Sequence, residues 1–399
     1  MKRMNVVVAA VAVLVLAPTV PGSAAQWELT PAGWRSGPVI EHVRNLALET
    51  TAIGLDRHGK FLYVSGARSF SIYDIKQPEN PQLLSHRVTP NVLNEHPDTN
   101  GKILLLSMDH GGFARVLQVW DVRDKANPTL LSVFPSGAAP GVPGGDHTWA
   151  CVLDCRFAYG SQGSIVDLRD PARPTRVGDW RNSLPAAQPD DPPRRFHGID
   201  EVAPGIVLTA SQPTAALDAR TDPAKPTLLA HVWPPMTTPV PNRPSIPSYA
   251  HWPARATERF ALETIETPFT GPCNAGSGGL VTYDTAGYRE TGAFTLADAY
   301  RITQNGTFSD GYPPANAAGC SPFGLAESPD WPEDRLVAVA WLEHGVRLLH
   351  VGLDGQIAEV GGFMAHGTEA SFLAWGTRRI LYVADLTRGL DVYRVAEPS

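Results

Sequence analysis

The chain has 399 residues and a formal net charge of −7, with 43% hydrophobic and 18% charged residues. These proportions allow a large hydrophobic core and argue against a disordered chain. The acidic balance, without any run of Lys or Arg, argues against a nucleic-acid-binding protein. The 36 glycines and 37 prolines suit a fold of many short strands and turns.

The N-terminus predicts export. A short basic start, MKRMN, precedes the apolar run VVVAAVAVLVLA, which is too short for a comfortable membrane span. The following PGSAA places Ser23 and Ala25 at the small-residue positions of a signal-peptidase site. We therefore expect a signal peptide over residues 1–25, a mature start at Gln26, and a secreted, extracellular protein with no membrane span. An uncleaved N-terminal anchor is the alternative.

One phrase recurs along the mature chain. It reads DIKQPENPQLL from Asp74, DVRDKANPTLL from Asp121, DLRDPARPTRV from Asp167 and DARTDPAKPTLL from Asp218. Two β-rich runs joined by a Gly/Ser-rich turn precede each copy, which is the pattern of a hairpin. The Asp is expected to cap backbone N–H groups of the following turn, and a short strand follows. Weaker copies place Asp284, His350 and Arg394 at the same marker position.

Seven copies at roughly the length of a four-stranded blade predict an all-β, seven-bladed β-propeller, formed as one domain by residues 26–399. The chain ends soon after the third strand of the seventh copy. The segment around Val39–Val43 resembles the outer strands of the other copies. We therefore expect this N-terminal strand to complete the last blade, which leaves no unpaired edge between the first and last blades. An open β-solenoid is the alternative.

Four cysteines belong to the exported chain. Cys151 and Cys155 flank a tight turn in CVLDC, so they can face each other across a hairpin, which leaves Cys273 to pair with Cys320. An oxidising compartment favours disulfides. A thiolate metal site is the alternative, although neither pair has zinc-finger spacing.

Histidines recur just before the innermost strand of copies two to five. These are His96, His147, His197 and His251, and Glu49 and Glu369 stand near this level in copies one and seven. In a propeller they would ring the channel on one face. Imidazoles and carboxylates gathered there could bind zinc, copper or iron, or act as general acid and base. The alternative is a structural role in a wet channel, and His110 and His344 fit ordinary turns.

Two resemblances follow from these motifs. The phrase Leu/Tyr-x-Val-x-Asp-x-x-x-Pro-x-x-Pro, preceded by LYVS or LYVA, resembles the LVIVD repeat of secreted bacterial β-propellers. More faintly, RLVAVAWLEHGVRLLHV is similar to one blade of the selenium-binding-protein family, which includes copper-dependent methanethiol oxidases. Trp341, Leu342, His344 and Gly345 match, and Glu343 is inserted between Leu and His. The first resemblance implies the fold, and the second implies histidines near the axis.

Two functions are compatible with the sequence. The first is an extracellular scaffold that binds a small-molecule or protein ligand through its His-rich channel face. The alternative is a metal-dependent enzyme, such as a copper oxidase, with His147, His197 and His251 as copper or zinc ligands. Glu49 or Glu369 would then serve as a further ligand or as a base. Fold alone does not separate these functions.

Overall fold

The computed structural model describes most of the chain from Trp27 onward. The described residues are 27–31, 33–36, 40–46, 52–89, 96–107, 115–136, 145–235, 245–267, 277–302, 320–377 and 379–396. The predicted signal peptide lies outside them, as do Glu49, His110 and Cys273. Within these ranges, no helix is long and apolar enough to span a membrane.

Seven antiparallel sheets form the fold, one for each blade of a β-propeller. Three strands precede the first blade: β1 (Trp27–Thr30), β2 (Gly33–Ser36) and β3 (Ile40–Leu46). Blade 1 contains β4 (Ala52–His58), β5 (Phe61–Gly66), β6 (Ser69–Asp74) and β7 (Gln82–Val88). Blade 2 contains β8 (Asp98–Thr99), β9 (Ile103–Ser107), β10 (Val116–Asp121) and β11 (Thr129–Pro135). Blade 3 contains β12 (Trp149–Val152), β13 (Phe157–Gly160), β14 (Ser164–Asp167) and β15 (Thr175–Asp179).

The remaining blades follow the same order along the chain. Blade 4 contains β16 (Arg195–Ala203), β17 (Ile206–Gln212), β18 (Thr214–Asp218) and β19 (Thr227–Val232). Blade 5 contains β20 (Ile246–His251), β21 (Phe260–Glu266), β22 (Gly279–Asp284) and β23 (Thr295–Tyr300). Blade 6 contains β24 (Leu325–Glu327), β25 (Leu336–Ala340), β26 (Val346–Val351) and β27 (Ile357–Ala365). Blade 7 contains β28 (Ala370–Trp375), β29 (Ile380–Asp385) and β30 (Gly389–Val395). Short helical segments span Trp180–Ser183, Pro253–Ala256 and Tyr288–Thr291.

The core lies between neighbouring blades. The second strands are buried on both faces, and every residue of β17 and β21 is buried, because each sheet packs against another on either side. Blades 7 and 1 meet in the same way, with Leu62 and Val64 packed in one cluster with Tyr382 and Val392. The propeller is therefore closed, as the repeat predicted.

The recurring Asp ends the third strand of its blade. In blades 1 to 5 its carboxylate accepts the N–H two residues further on, at 2.8 Å for Asp74 and 2.9 Å for Asp167. In all seven blades the marker residue pairs with the first residue of the second strand. The predicted cap is confirmed, and the marker gives every blade the same register.

The N-terminal strand closes the last blade, as predicted. Strand β3 pairs antiparallel with β30, from Ile40 opposite Val395 to Leu46 opposite Leu390. His42 and Asn45 also bond to the buried carboxylate of Asp391, at 2.8 and 2.9 Å. The first and last blades are thus joined by backbone and side chains.

Strands β1 and β2 form a hairpin that the sequence did not predict. Strand β2 pairs with β27, so blade 6 becomes a six-stranded sheet. Trp34 is buried where the hairpin joins blade 6. The Trp27 ring covers the Arg347 guanidinium, whose Cζ is 4.1 Å from the ring centroid. The hairpin covers what would otherwise be an outer edge strand.

The Cys151–Cys155 disulfide is present, as predicted, with the two Cα atoms 4.3 Å apart. Leu153, Asp154 and Cys155 all have positive φ, so the loop closed by the disulfide is a tight left-handed turn. Cys273 lies outside the described residues, so the Cys273–Cys320 pair stays a prediction.

Candidate functional site

Each innermost strand places one residue at the same level of the channel. This residue pairs with the third residue of the second strand in every blade. We call these seven positions the axial ring. In blade order they are Asp56, Asp98, Ala150, Asp200, His251, Ala326 and Ala374. The ring thus combines three carboxylates, one imidazole and three methyl groups.

His251 lies between two carboxylates of neighbouring blades. Its Nδ1 is 4.0 Å from Asp200 Oδ2, and its Nε2 is 3.5 Å from Glu327 Oε2. Burial alone would lower the pKa of His251, but these two carboxylates raise it to about 9. The imidazole is therefore protonated at neutral pH and can donate both N–H groups.

Asp56 and Asp98 are held at the seams between blades. Asp56 Oδ2 accepts the Thr99 N–H at 3.0 Å, and Asp98 Oδ2 accepts the Cys151 N–H at 2.7 Å. Burial raises the pKa of Asp56 to about 7 and that of Asp98 well above its usual value. The charge of Asp200 raises both pKa values further.

His147 and His197 lie together nearer the N-terminal ends of the innermost strands. Their ring centroids are 4.3 Å apart. His197 Nδ1 is 3.2 Å from the Ser248 carbonyl oxygen, and its Nε2 is 3.4 Å from Glu266 Oε2. Gly198 allows this close approach of blades 4 and 5, because a Cβ there would lie 2.2 Å from the Ser248 oxygen.

His96 lies against the aromatic wall of the channel. Its ring centroid is 5.4 Å from those of both Tyr249 and Phe372. Burial lowers the pKa of His96, so its imidazole is neutral at neutral pH. Glu369 precedes β28, and its backbone N–H donates to Asp385 at 3.0 Å. His344 is buried in the β25–β26 turn, where its N–H donates to the Trp341 carbonyl at 2.8 Å.

A cavity of about 440 Å³ opens at the level of the axial ring. Six of the seven ring positions line it, and Ala150 is the exception. The methyl groups of Ala326 and Ala374 leave the space that larger side chains would fill. Other lining side chains include Arg57, His96, Tyr249, Glu327, Phe372 and Trp375. An adjoining cavity of about 250 Å³ shares Asp98 and Asp200 with it and is also lined by Asp154 and Glu201.

The predicted histidine set is divided between two levels. The similar spacing in the sequence predicted one level for all of them. However, His251 pairs with Leu262 and is therefore level with Asp200 of blade 4. His197 lies three residues before Asp200 on the same strand. The reason is the connection between the first and second strands. It is two residues long in blade 4 and eight in blade 5, so counting back from the second strand misplaces His251.

The metal site stays a prediction. In the part of the chain that the structure describes, no three His, Cys, Asp or Glu side chains are arranged to hold a metal ion. A metal ion held by His147 and His197 would therefore need a third ligand. The predicted ligand Glu49 lies outside the described residues.

The sequence interpretation missed the carboxylates of the axial ring. Their signal was present, because Asp56 and Asp98 each stand five residues before the second strand of their blade. Aligning the copies on the marker-paired residue puts Asp56, Asp98 and Glu201 in one register, with Asp200 one residue earlier.

The fold and this site define a seven-bladed β-propeller with a polar axial cavity. Its structure is similar to that of the periplasmic gluconolactonase PpgL of Pseudomonas aeruginosa, with a TM-score of 0.58 and 12% sequence identity. The similarity covers 95% of this chain and 97% of that chain, and at this identity it concerns the fold alone. No protein-family model and no curated protein matches the sequence.

Proposed function

We propose that the protein binds a small molecule in the axial cavity. The observation that carries this proposal is the composition of the axial ring, where polar side chains converge and alanines leave space. A volume of about 440 Å³ falls within the range of small-molecule sites, which commonly combine an apolar wall with a few convergent polar groups. The function is that of a binding scaffold acting through its channel.

The proposed binding protein is exported. The predicted signal peptide over residues 1–25 supports this, as does the Cys151–Cys155 disulfide, which suits an oxidising compartment. The similar gluconolactonase is periplasmic by name. We also propose that the chain belongs with the LVIVD-repeat propellers, and the recurring Asp that caps the following turn supports that assignment.

A ligand screen with a blocked cavity tests the proposed function. Sugars, sugar lactones, amines and carboxylic acids are screened by thermal shift against the mature chain. Ala374→Phe places a large ring inside the cavity, while Ala172→Phe makes the same change at an exposed turn residue. We expect compounds that raise the melting temperature of wild type and Ala172→Phe but not of Ala374→Phe. Shifts that survive in a folded Ala374→Phe protein would contradict the proposal.

A metal-dependent enzyme, such as a copper oxidase, is the second candidate. The observation that favours it is the contact of the His147 and His197 rings, 4.3 Å apart between centroids. Elemental analysis of unstripped wild-type protein would then find copper or zinc in stoichiometric amount, and His197→Ala would lose it. Metal-free wild-type protein, purified without chelators, would eliminate this candidate.

Lactone hydrolysis is a further candidate function, and one assay tests it. His251 lies between two carboxylates and can donate a proton, and the structurally similar protein is named a gluconolactonase. Gluconolactone is therefore included in the screen with a pH-stat readout. Turnover abolished by His251→Gln, in a variant that remains folded at the assay temperature and pH, would move the proposal from binding to catalysis.

A further inference from the structure

The charges around the axial cavity are unequal. Four carboxylates line it, those of Asp56, Asp98, Asp200 and Glu327. His251 carries a positive charge at their level. Arg57 also lines the cavity, but its side chain is exposed and its Nη1 donates to the Gly59 carbonyl in the β4–β5 turn, at 3.0 Å. The cavity therefore holds more acidic than basic groups.

Backbone hydrogen bonds hold two of these carboxylates, Asp56 and Asp98, in place. Thr99 and Cys151 donate backbone N–H groups to Asp56 and Asp98 from the next blade in each case, so neither carboxylate can turn away towards solvent. Their raised pKa values have burial as the first cause and neighbouring carboxylates as another. A positive charge that enters the cavity would therefore stabilise the ionised forms of these two carboxylates.

The remaining wall suits the carbon part of a ligand. Tyr249, Phe372 and Trp375 line the same cavity, and the Tyr249 and Phe372 rings meet edge to face with centroids 4.6 Å apart. Aromatic faces attract cations as well as alkyl groups. Nδ1 of His96 is buried and has no hydrogen-bond partner within the described residues. A neutral imidazole offers such a nitrogen as an acceptor for an N–H donor.

We infer that the ligand of the axial cavity is a primary ammonium ion whose carbon chain packs against Tyr249, Phe372 and Trp375. This inference rests on the proposed function. An ammonium group brings three N–H donors, which oxygens of Asp56, Asp98 and Asp200 can accept. Its positive charge also favours loss of the protons that burial holds on Asp56 and Asp98. A neutral polyol has the donors without the charge, and a bare metal ion makes no use of the aromatic wall.

A pair of probes that differ in charge tests the inference. Calorimetric titrations at about pH 7.5, where an alkylamine is protonated, compare n-pentylamine with pentan-1-ol. We expect the amine to bind at least about tenfold more tightly, which is the effect of roughly 1.4 kcal/mol from the charge. Binding of the amine should disappear in Ala374→Phe and persist in Ala172→Phe.

Asp56→Asn combined with Asp98→Asn shows whether the carboxylates cause this preference. Asn keeps the acceptor for the backbone N–H groups, so the fold and melting temperature should be retained, while the preference for amine over alcohol should fall towards equality. Asp124→Asn, at an exposed turn of blade 2, is the matched control and should keep the preference. A folded double variant that still prefers the amine would overturn the inference.

The two proposals fail in different ways. If sugars or alcohols bind as well as amines, and Ala374→Phe abolishes their binding, the cavity is the site but its ligand is not an ammonium ion. Calcium binding that displaces the amine and depends on Asp56 and Asp98 would also overturn the inference. If Ala374→Phe changes the binding of no compound that wild type binds, the proposed function itself is wrong.

Discussion

Glu263→Gln should remove most of the pH dependence of stability that arises between blades 4 and 5. Glu263 is fully buried, and its carboxyl group accepts hydrogen bonds from the Thr214 hydroxyl at 2.7 Å and the Tyr283 hydroxyl at 2.5 Å. Burial raises the pKa of Glu263, these two bonds lower it, and the result is about 8 instead of 4.5. The folded protein therefore keeps the Glu263 proton at neutral pH.

The direction of the effect follows from the raised pKa. The contribution of Glu263 to the free energy of unfolding is fully present below about pH 4.5 and is lost as the pH rises through about 8. Between these values each pH unit removes about 1.4 kcal/mol. From pH 5 to pH 9 the wild-type protein should lose about 4 kcal/mol through this group. Gln cannot ionise and keeps an amide for the two hydroxyls.

The assay is unfolding by heat and by guanidinium at about pH 5, 7 and 9, followed by tryptophan fluorescence and calorimetry. Glu263→Gln should match or fall slightly below wild type at pH 5 and exceed it clearly at pH 9. The exposed Glu290→Gln is the matched control and should follow wild type throughout. Parallel profiles of wild type and Glu263→Gln would refute the reasoning, because they would mean that burial does not hold the proton.

Three further predictions concern the N-terminal strand, the disulfides and His251. Deleting residues 26–48 removes β1, β2 and β3, so thermal stability or soluble yield should fall sharply; a deletion variant that melts like the mature protein would refute the role of the N-terminal strand in closure. Mass spectrometry of the non-reduced exported protein should find Cys151–Cys155 and Cys273–Cys320, and free thiols or crossed pairs would contradict this. His251→Gln leaves Asp200 and Glu327 without their cation, so it should cost about 1–3 kcal/mol at pH 6. Because the pKa of His251 is raised to about 9, the stabilising effect is present below about pH 6.5 and is lost as the pH rises through 9. An equal loss at pH 6 and pH 10 would count against the ion pairs.

The architecture could be predicted because the sequence pattern of one blade recurs several times along the chain. The marker Asp, its turn and the β-rich runs before it recur, so blade count and register follow from local patterns. The closing strand at Ile40–Leu46 was also predictable, since the last copy lacked its outer strand. The hairpin of Trp27 and Trp34 was not, because its partner strand Ile357–Ala365 is remote in sequence and nothing local specifies the pairing.

The candidate site was predicted in part. His147, His197 and His251 were chosen from the sequence as channel residues. In the structure the first two are in contact and His251 lines the cavity. Their relative levels could not be predicted from spacing, because connections of two and eight residues place equally spaced histidines differently along the axis. The cavity itself depends on Ala326 and Ala374, and small residues give no signal of their own in a single sequence.

A crystal structure of the mature protein, grown with the tightest-binding compound from the screen, would test the proposed binding site most directly. We expect electron density for that compound inside the axial cavity, within hydrogen-bond distance of Asp56, Asp200 or His251 and beside the methyl groups of Ala326 and Ala374. Density for the compound on an outer blade surface, with none in the cavity, would contradict the central claim that the axial ring is the binding site.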